Sequence, residues 1–260
     1  MMSLLTTIDN RGVARLTLNR PDVRNAFNEK LIGDICDTMA RLSTDQNVRV
    51  IVLTGAGTAF CAGADLDMMR RVAGYSPQEN KDDARRLAHM LHTIYFCEKP
   101  TIALVNGPAL GGGVGIVAAC DIAIAADDAI FGLTEVRVGL IPAVISPFVM
   151  RAMGTRQARR FFMTGERFDA DTARRISLVH LVAIAPQLEA TLDGVIKDLL
   201  ACGPVAQKEA KDLIRAVAFQ PIDDRIMEET AARIARLRSS PEGKEGVLSF
   251  LEKRKPDWIK

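Results

Sequence analysis

Aromatic side chains are scarce in this chain of 260 residues, in which one Trp, two Tyr and ten Phe together make up 5%. A surplus of charge of one sign is also lacking, because 34 Lys and Arg against 32 Asp and Glu leave a formal net charge of +2. Proteins that bind nucleic acids usually concentrate positive charge on one face and stack bases on aromatic rings. The composition therefore disfavours a nucleic-acid partner and predicts a core of small aliphatic side chains.

Cysteine and histidine are few and dispersed. The three histidines show no metal-ligand spacing, and the five cysteines form no Cys-x-x-Cys pair (Cys36, Cys61, Cys97, Cys120 and Cys202). This pattern excludes a disulfide framework and a zinc knuckle, and it favours a reducing compartment. Because the first ten residues lack the charged and apolar segments of a signal peptide, we expect a cytoplasmic protein.

One stretch without a charged residue, 100–120, is long enough to span a bilayer. It is interrupted by Asn106-Gly107-Pro108 and again by Gly111-Gly112-Gly113. These breaks predict a buried strand, a loop and a helix, so that no membrane-spanning segment is expected.

Strand and helix patterns alternate through the first half of the chain. Helical spacing covers 31–42, which Asn28 can cap, and 78–95, while the predicted strands are 13–18, 48–53, 101–105 and 121–125. This alternation predicts an α/β fold with crossovers on a mostly parallel sheet. After Gly139 the strand patterns fade, and helical stretches follow at 155–163, 169–175, 187–200, 205–218 and 223–239. We therefore predict a core over 1–202 and a helical region over 203–260.

The first segment suited to ligand binding is 60–66, Phe-Cys-Ala-Gly-Ala-Asp-Leu, which follows the predicted strand 48–53. Small side chains let a backbone approach a ligand, and Asp65 stands where a helix can begin. Free N–H groups at such a junction can stabilise a developing negative charge. A tight strand-to-helix turn without a ligand, in which Asp65 only caps the helix, explains the same residues.

A second glycine-rich segment, 106–115, also follows a predicted strand and reads Asn-Gly-Pro-Ala-Leu-Gly-Gly-Gly-Val-Gly. Three successive glycines cost backbone entropy, which close packing or a close ligand must offset. No Gly-Lys-Ser/Thr follows, so the segment is not a Walker loop, and its spacing does not fit a dinucleotide fingerprint. Together the two segments suggest an oxyanion hole, in which two backbone N–H groups stabilise the enolate of a thioester.

Several motifs occur in a fixed order along the chain. They are Asn19-Arg-Pro, Asn25-Ala-Phe, the segments 60–66 and 106–113, Cys120-Asp, and Phe131-Gly-Leu-Thr-Glu135 with Gly139-Leu-Ile-Pro142. Each motif alone is weak, but the ordered set strongly resembles the crotonase (enoyl-CoA hydratase/isomerase) superfamily over nearly the whole chain. The resemblance implies a spiral of ββα units with a helical C-terminal trimerisation region, assembled as a trimer or a hexamer.

The resemblance also implies roles for positions of this sequence. The backbone N–H groups of Ala64 and Gly112 would form the oxyanion hole for an acyl-CoA thioester, and Glu135 matches the second of two catalytic glutamates. Six residues would contact coenzyme A: Arg24, Asn25, Ala26, Ala62, Asp65 and Leu66. Coenzyme A is then part of the substrate, and neither a separate cofactor nor a metal is expected. By its residue type alone, Glu135 could equally cap a following helix.

Two departures from the family pattern bear on the reaction. Gly115 stands where family hydratases carry their first catalytic glutamate, and 141–147, Ile-Pro-Ala-Val-Ile-Ser-Pro, replaces a glycine-rich stretch. The second departure, together with Glu135-Val-Arg, is similar to bacterial methylglutaconyl-CoA hydratases of leucine breakdown. Gly115 would then leave room for a branched, carboxylated acyl chain. Arg70 or Arg71 could meet its carboxylate, although solvent is the simpler surrounding for both.

The sequence thus predicts an acyl-CoA enzyme of the crotonase fold. Its leading activity is the reversible hydration of a 2-enoyl-CoA, with 3-methylglutaconyl-CoA as a candidate, in fatty-acid or leucine degradation. A single glutamate also suits an enoyl-CoA double-bond isomerase, because one carboxylate can shuttle a proton between C2 and C4. A third alternative is a protein that binds CoA or RNA without turnover, to which the small net charge gives little support.

Overall fold

The computed structural model describes residues 2–259, which contain nine strands. The strands are β1 (Leu4–Ile8), β2 (Val13–Leu18), β3 (Val50–Gly55), β4 (Thr101–Val105), β5 (Ala109–Leu110), β6 (Ile122–Ala126), β7 (Ile130–Gly132), β8 (Arg167–Asp169) and β9 (Leu181–Ala183). Six of them form a large sheet in the order β1-β2-β3-β4-β6-β9. Only the β1–β2 pairing of this sheet is antiparallel, so the predicted mostly parallel sheet is confirmed.

The remaining strands form a small sheet in the order β5-β7-β8, in which β5 and β7 run parallel and β7 and β8 antiparallel. The chain alternates between the two sheets. Strand β4 in the large sheet is followed by β5 in the small one, and β6 is followed by β7 in the same way. A helix completes each of these strand pairs, which gives the ββα units that the motif order implied.

Ten helices accompany the strands of the described chain. They are α1 (Glu29–Thr44), α2 (Leu66–Val72), α3 (Pro77–Tyr95), α4 (Gly112–Ala119), α5 (Ser146–Thr164), α6 (Ala170–Arg175), α7 (Leu188–Ala201), α8 (Pro204–Val217), α9 (Asp224–Ser239) and α10 (Pro241–Leu251). Asn28 caps α1 as predicted, because its side chain accepts a hydrogen bond from the Leu31 N–H (2.9 Å). The apolar positions of α1 are the ones that face the core.

The large sheet is covered on both faces, which explains why β3 is buried along its whole length. Successive residues of a strand point to opposite faces of the sheet. Ile51 and Leu53 belong to the core that includes α1, α3 and α4, whereas Val50 and Val52 pack with α7. A strand buried on both faces carries a continuous apolar run, as this one does.

Some element boundaries differ from the prediction for local reasons. Strand β3 begins at Val50 and not at 48, because the Val48 N–H donates to the Asp45 carbonyl in a turn (3.2 Å). The helix predicted over 155–163 corresponds to the part of α5 that follows Gly154, a residue whose backbone is not helical (φ 74°, ψ 160°). The part of α5 before Gly154, 146–153, was not predicted. The strands β5, β7, β8 and β9 have two or three residues each, too few for a periodic pattern.

Beyond Gly203 the elements are the helices α8, α9 and α10, which confirms the helical C-terminal region. The division into a core over 1–202 and a region over 203–260 stays a prediction. The uncharged stretch 100–120 folds as β4, β5 and α4, a strand, a loop and a helix as expected. Within residues 2–259, no helix combines the length and the apolar character needed to cross a membrane.

Candidate active site

The loops that follow β3 and β4 lie against each other. Cys61 forms a parallel bridge with Ala109 of β5, and the Leu110 N–H donates to the Cys61 carbonyl (2.9 Å). A Cβ atom placed on Gly63 would lie 3.1 Å from the Leu110 carbonyl oxygen. The fold therefore brings together the two glycine-rich segments that the sequence singled out.

Ala64 lies in a bridge with Phe27 that leaves its own N–H unengaged. The Phe27 N–H donates to the Gly63 carbonyl (2.7 Å), and the Asp65 N–H donates to the Phe27 carbonyl (2.9 Å). Both bonds use the neighbours of Ala64, and the Ala64 N–H has no acceptor among residues 2–259. Ala64 is exposed although its neighbours Gly63 and Asp65 are buried, so this residue is accessible to a ligand.

A second free donor begins helix α4. Gly111 precedes this helix with φ 51° and ψ −118°, a conformation that glycine adopts far more readily than other residues. Its N–H donates to the Gly132 carbonyl of β7 (2.8 Å), so the Gly112 N–H is the first of the helix. The first N–H groups of a helix lack a carbonyl four residues earlier, and Gly112 has no other acceptor in the described chain.

Close contacts explain why glycines occupy this turn. A Cβ atom on Gly112 would lie 2.7 Å from Cε2 of the Phe27 ring, and one on Gly113 would lie 2.5 Å from the Cys61 carbonyl oxygen. Both distances are well inside van der Waals contact. The glycines therefore let α4 approach Phe27 and the loop after β3, and this approach places the two free donors on neighbouring segments.

Glu135 opens a short 3-10 helix, Glu135–Val138, and its carboxylate lies beside Gly111. A Cβ atom on Gly111 would be 3.2 Å from Glu135 Oε1. The other oxygen, Oε2, is buried and has no hydrogen-bond partner among residues 2–259. Burial raises the pKa of the Glu135 carboxyl above its usual value of about 4.5, because the ionised form loses hydration that no partner replaces. Unpaired buried carboxylates of this kind concentrate at functional sites.

The space beside Gly115 is filled by another side chain. Gly115 lies one helical turn beyond Gly111 in α4, and its N–H donates to the Gly111 carbonyl (3.2 Å). A Cβ atom on Gly115 would be 2.5 Å from Cγ2 of Ile145 and 3.4 Å from Cδ1 of Leu91. Ile145 belongs to the unusual stretch 141–147, so the two departures from the family pattern meet. The expectation that Gly115 leaves room for an acyl chain is wrong at this point, because Ile145 occupies that room.

Asn25 uses its side chain inside the protein. It is fully buried, its Oδ1 accepts from the Arg20 N–H (2.9 Å), and its Nδ2 donates to the carbonyls of Ala56 (2.9 Å) and Ala59 (2.8 Å). The Asn25 amide therefore joins the loop after β2 to the loop after β3. Its side chain has no free donor left for coenzyme A.

Asp65 is also engaged within the chain. Its Oδ1 caps α2 by accepting from the Asp67 N–H (2.8 Å), and its Oδ2 pairs with the Arg20 guanidinium (2.6 Å). Burial alone would raise the pKa of the Asp65 carboxyl, but the hydrogen bonds from Arg20 and from the Asp67 N–H together hold it below its usual value. The helix-capping interpretation is confirmed, and the side chain is not directed at a ligand.

The other residues expected to contact coenzyme A lie around the Ala64 segment. The Ala62 N–H donates to the Arg24 carbonyl (3.0 Å), which places 24–26 next to 62–66. Ala26 is buried, whereas Arg24 and Leu66 are exposed. The fold thus brings the two predicted segments together, and it leaves Arg24 and Leu66 with side chains accessible to a ligand.

Arg70 and Arg71 are both engaged in exposed ion pairs. Arg70 lies 2.6 Å from Asp67, and Arg71 lies 2.8 Å from Glu29. Exposed pairs of this kind contribute little stability.

Two residues of the site, Arg20 and Ile145, were not predicted from the sequence, although Arg20 lies inside the Asn19-Arg-Pro motif.

Comparison with known proteins decides the family. The family model described as Enoyl-CoA hydratase/isomerase matches residues 9–260, nearly the whole chain. This chain belongs to the enoyl-CoA hydratase/isomerase family. Its fold is the crotonase fold, as the order of the motifs predicted.

Three relatives illustrate how far the likeness to this family extends. The crystal structure of an enoyl-CoA hydratase from Shewanella pealeana matches with a TM-score of 0.95 and 40% identity, over 98% of this chain and 96% of that one. AtuE from Pseudomonas aeruginosa matches with a TM-score of 0.95 and 37% identity, over 99% and 100%. The enoyl-CoA hydratase ACTT6 from Alternaria alternata is 35% identical over 213 residues, which are 80% of this chain and 68% of that protein.

This member of the enoyl-CoA hydratase/isomerase family combines two free backbone donors, at Ala64 and Gly112, with the Glu135 carboxylate, whose buried Oε2 has no partner among residues 2–259. Free N–H groups can stabilise negative charge on a carbonyl oxygen, and a carboxylate with a raised pKa can accept a proton and return it. The part of the chain described here places these groups on adjacent loops.

Proposed function

We propose that this protein reversibly hydrates a 2-enoyl-CoA through an enolate of the thioester. The observation that carries the proposal is the Glu135 carboxylate, whose Oε2 is buried without a partner and whose Oε1 lies beside Gly111. A fold keeps a carboxylate in this state at a cost in stability, which proton transfer at that position would explain.

The thioester carbonyl would accept hydrogen bonds from the N–H groups of Ala64 and Gly112. Negative charge develops on this oxygen as the double bond is attacked, so the donors stabilise the transition state more than the ground state. Both N–H groups are fixed before substrate binds, since Ala64 lies in a bridge and Gly112 begins a helix.

Glu135 would transfer the protons of the reaction. Its ionised carboxylate takes a proton from water while the oxygen of that water bonds to C3 and the C2–C3 π electrons move into the enolate. The protonated carboxyl then gives its proton to C2, and the carbonyl reforms. In this scheme the protein adds water with its own residues, and the only coenzyme involved is the CoA that is part of the substrate. The raised pKa suits a group that must give up the proton it has taken.

The acyl chain would lie against apolar side chains near Glu135. Val138, Leu140 and Ile141 follow Glu135 closely and are exposed, which supports an apolar ligand on this side. The candidate 3-methylglutaconyl-CoA rests on the sequence of 141–147 together with Glu135-Val-Arg. Arg70 and Arg71 lend it no support, because both already have carboxylate partners. The exposed guanidinium of Arg24 would meet a phosphate of CoA, and Leu66 its pantetheine.

An absorbance assay of the conjugated enoyl thioester tests the proposal. We expect wild-type protein to remove the signal of crotonyl-CoA or 3-methylglutaconyl-CoA, and the faster of the two identifies the preferred acyl chain. Gain of signal from a 3-enoyl-CoA, without loss of signal from a 2-enoyl-CoA, would contradict hydration and favour the isomerase. Silence on all three thioesters together with salt-dependent RNA retention would favour a binding role.

We also propose that the chain assembles as a homo-trimer or hexamer through its helical C-terminal region. Large apolar side chains are exposed there, among them Ile214, Phe219, Ile222, Phe250 and Leu251. A cleft of about 850 Å³ between α4, α5 and α8 is lined by two of them, Ile214 and Phe219, and by none of the predicted site residues. Large apolar side chains that are exposed close together are typical of subunit interfaces.

Sedimentation equilibrium measures the assembly directly. The expected mass is three or six times the 28.3 kDa of the chain. A monomeric mass across the micromolar range would contradict the proposed assembly.

A further inference from the structure

Arg20 joins the two segments on which the Ala64 donor depends. Its Nη1 donates to the Ala26 carbonyl (2.5 Å), and its Nη2 donates to Asp65 Oδ2 (2.6 Å). Both side chains of this ion pair are largely removed from solvent, with 21% of the Arg20 side chain and 8% of the Asp65 side chain exposed. A planar guanidinium holds two acceptors in a fixed geometry, which a lysine ammonium does not.

The Ala26 carbonyl bound by Arg20 belongs to the same peptide group as the Phe27 N–H. That N–H donates to the Gly63 carbonyl (2.7 Å), and the Gly63 carbonyl shares its peptide group with the Ala64 N–H. Peptide groups are planar and trans, so their N–H and C=O bonds point in opposite directions. The guanidinium, two peptide groups and the free Ala64 donor therefore form one continuous hydrogen-bonded chain.

This series of hydrogen bonds fixes the peptide group between Gly63 and Ala64, which would otherwise be free to rotate. Gly63 has φ 92°, and glycine populates many backbone conformations at little cost. The direction of the Ala64 N–H is therefore set by the bond that the Gly63 carbonyl accepts from Phe27. Asp65 supports the same geometry from the other side, because its N–H donates to the Phe27 carbonyl (2.9 Å).

The same series of hydrogen bonds carries the electrostatic effect of Arg20 toward the Ala64 N–H. A cation at a carbonyl oxygen polarises that peptide group and makes its N–H a stronger donor, and successive hydrogen bonds strengthen one another. The positive charge of Arg20 is applied at the Ala26 oxygen, and the far end of the chain is the Ala64 N–H. A stronger donor there stabilises a developing oxyanion better.

We propose that Arg20 is a positioning residue of the oxyanion hole, which orients and polarises the Ala64 N–H through the peptide groups Ala26–Phe27 and Gly63–Ala64. This inference rests on the proposed function, because it presumes that the Ala64 N–H binds a thioester carbonyl. Asp65 is its partner, since it holds the second arm of the guanidinium.

Isotope-edited infrared spectroscopy of bound butyryl-CoA, carrying ¹³C in its thioester carbonyl, tests the proposal. The acyl chain of butyryl-CoA has no C2–C3 double bond to hydrate, so the measurement does not depend on turnover. A hydrogen bond from the hole lowers the frequency of the carbonyl stretch, and we expect Arg20→Gln to lose about half of this lowering or more. In parallel, kcat on the preferred enoyl-CoA should fall by about tenfold, part of the 10²–10³-fold that a whole donor contributes, with KM within about threefold.

Arg15→Gln is the matched control. Arg15 also lies in or next to β2 and makes a bidentate pair with a distant carboxylate, Glu189 (2.8 and 2.6 Å), but it touches neither loop of the site. Its loss should leave both the carbonyl stretch and kcat at wild-type values. Arg20→Lys keeps the charge and should keep one of the two contacts, so its carbonyl stretch should lie between those of wild type and Arg20→Gln. If Arg20→Gln does not fold, Arg20→Lys should still show a smaller lowering of the carbonyl stretch than wild type.

The outcomes separate the two proposals. A wild-type frequency shift retained in full by Arg20→Gln and Arg20→Lys would overturn the role of Arg20 and leave the proposed hydratase untouched. An unshifted carbonyl in wild-type protein would overturn the oxyanion hole itself, and the role of Arg20 with it.

Discussion

Glu135→Gln is expected to lower kcat by about 10²–10⁴-fold, the range typical of a lost general acid–base group. Glutamine keeps the shape of the side chain but can neither take a proton from water nor give one to C2. Binding of butyryl-CoA should stay within about threefold of wild type, less than 1 kcal/mol, because no described residue depends on Oε2 for a hydrogen bond. Steady-state kinetics and calorimetric binding measure the two effects separately.

The pH dependence of stability provides the control for this variant. Below about pH 4.5 the carboxyl of wild type is protonated in the folded and the unfolded protein alike. As the pH rises, the unfolded state ionises first and the buried Glu135 lags behind, so the free energy of unfolding of wild type falls until the pH passes the raised pKa. The free energy of unfolding of Glu135→Gln does not fall in this way, so the variant should be more stable than wild type at neutral pH. Below about pH 4.5 the variant should have no such advantage over wild type. Equal pH profiles of denaturant unfolding would contradict a buried, unpaired carboxylate.

Gly115→Glu is expected to destabilise the protein by more than about 3 kcal/mol, because overpacking and burial of a further charge add up at this position. The added Cβ would meet Ile145 Cγ2 at 2.5 Å, and Ile145 is buried in the core. The new carboxylate would also enter the α4 face on which Gly111 approaches Glu135. Urea unfolding of wild type and variant gives the difference in free energy.

A cycle with Ile145→Ala separates the steric part. Gly115→Ala alone should cost about 1–2 kcal/mol, since overpacking outweighs the gain of about 1 kcal/mol that Ala brings to a helix interior. In the Ile145→Ala background the clashing Cγ2 is gone, so the same substitution should be neutral or stabilising. Additive effects of the two substitutions, or a Gly115→Glu variant as stable as wild type, would refute the contact between Gly115 and Ile145.

The sequence was informative where the chemistry depends on residues close together in the chain. The glycine-rich segments follow β3 and β4, so neighbouring parallel strands bring them to one edge of the sheet. The choice of Ala64 and Gly112 as the two donors came from the resemblance to the family. Glu135 could be found only through the order of the motifs, because its type alone fits a helix cap as well. The α/β alternation followed from apolar runs that the sheet buries on both faces.

The missed features depend on contacts between distant segments. The hydrogen-bonded path from Arg20 to Ala64 requires that the Ala26 carbonyl and the Asp65 carboxylate lie within reach of one guanidinium. The bridge between Phe27 and Ala64, together with the bond from the Ala62 N–H to the Arg24 carbonyl, brings them together. The role of Ile145 depends on where α5 begins, and the interruption at Gly154 hides that start. Asn25 was predicted to contact CoA, whereas its buried side chain is occupied by hydrogen bonds to three backbone groups.

Incorporation of oxygen from solvent tests the central claim most directly. Wild-type protein and Glu135→Gln are incubated with the preferred 2-enoyl-CoA in H₂¹⁸O, and the acyl products are analysed by mass spectrometry. Hydration by Glu135 predicts a 3-hydroxyacyl-CoA that carries one ¹⁸O atom, formed by wild type and nearly absent with the variant. A product without ¹⁸O, or the same labelled product formed equally fast by Glu135→Gln, would contradict the proposed hydration.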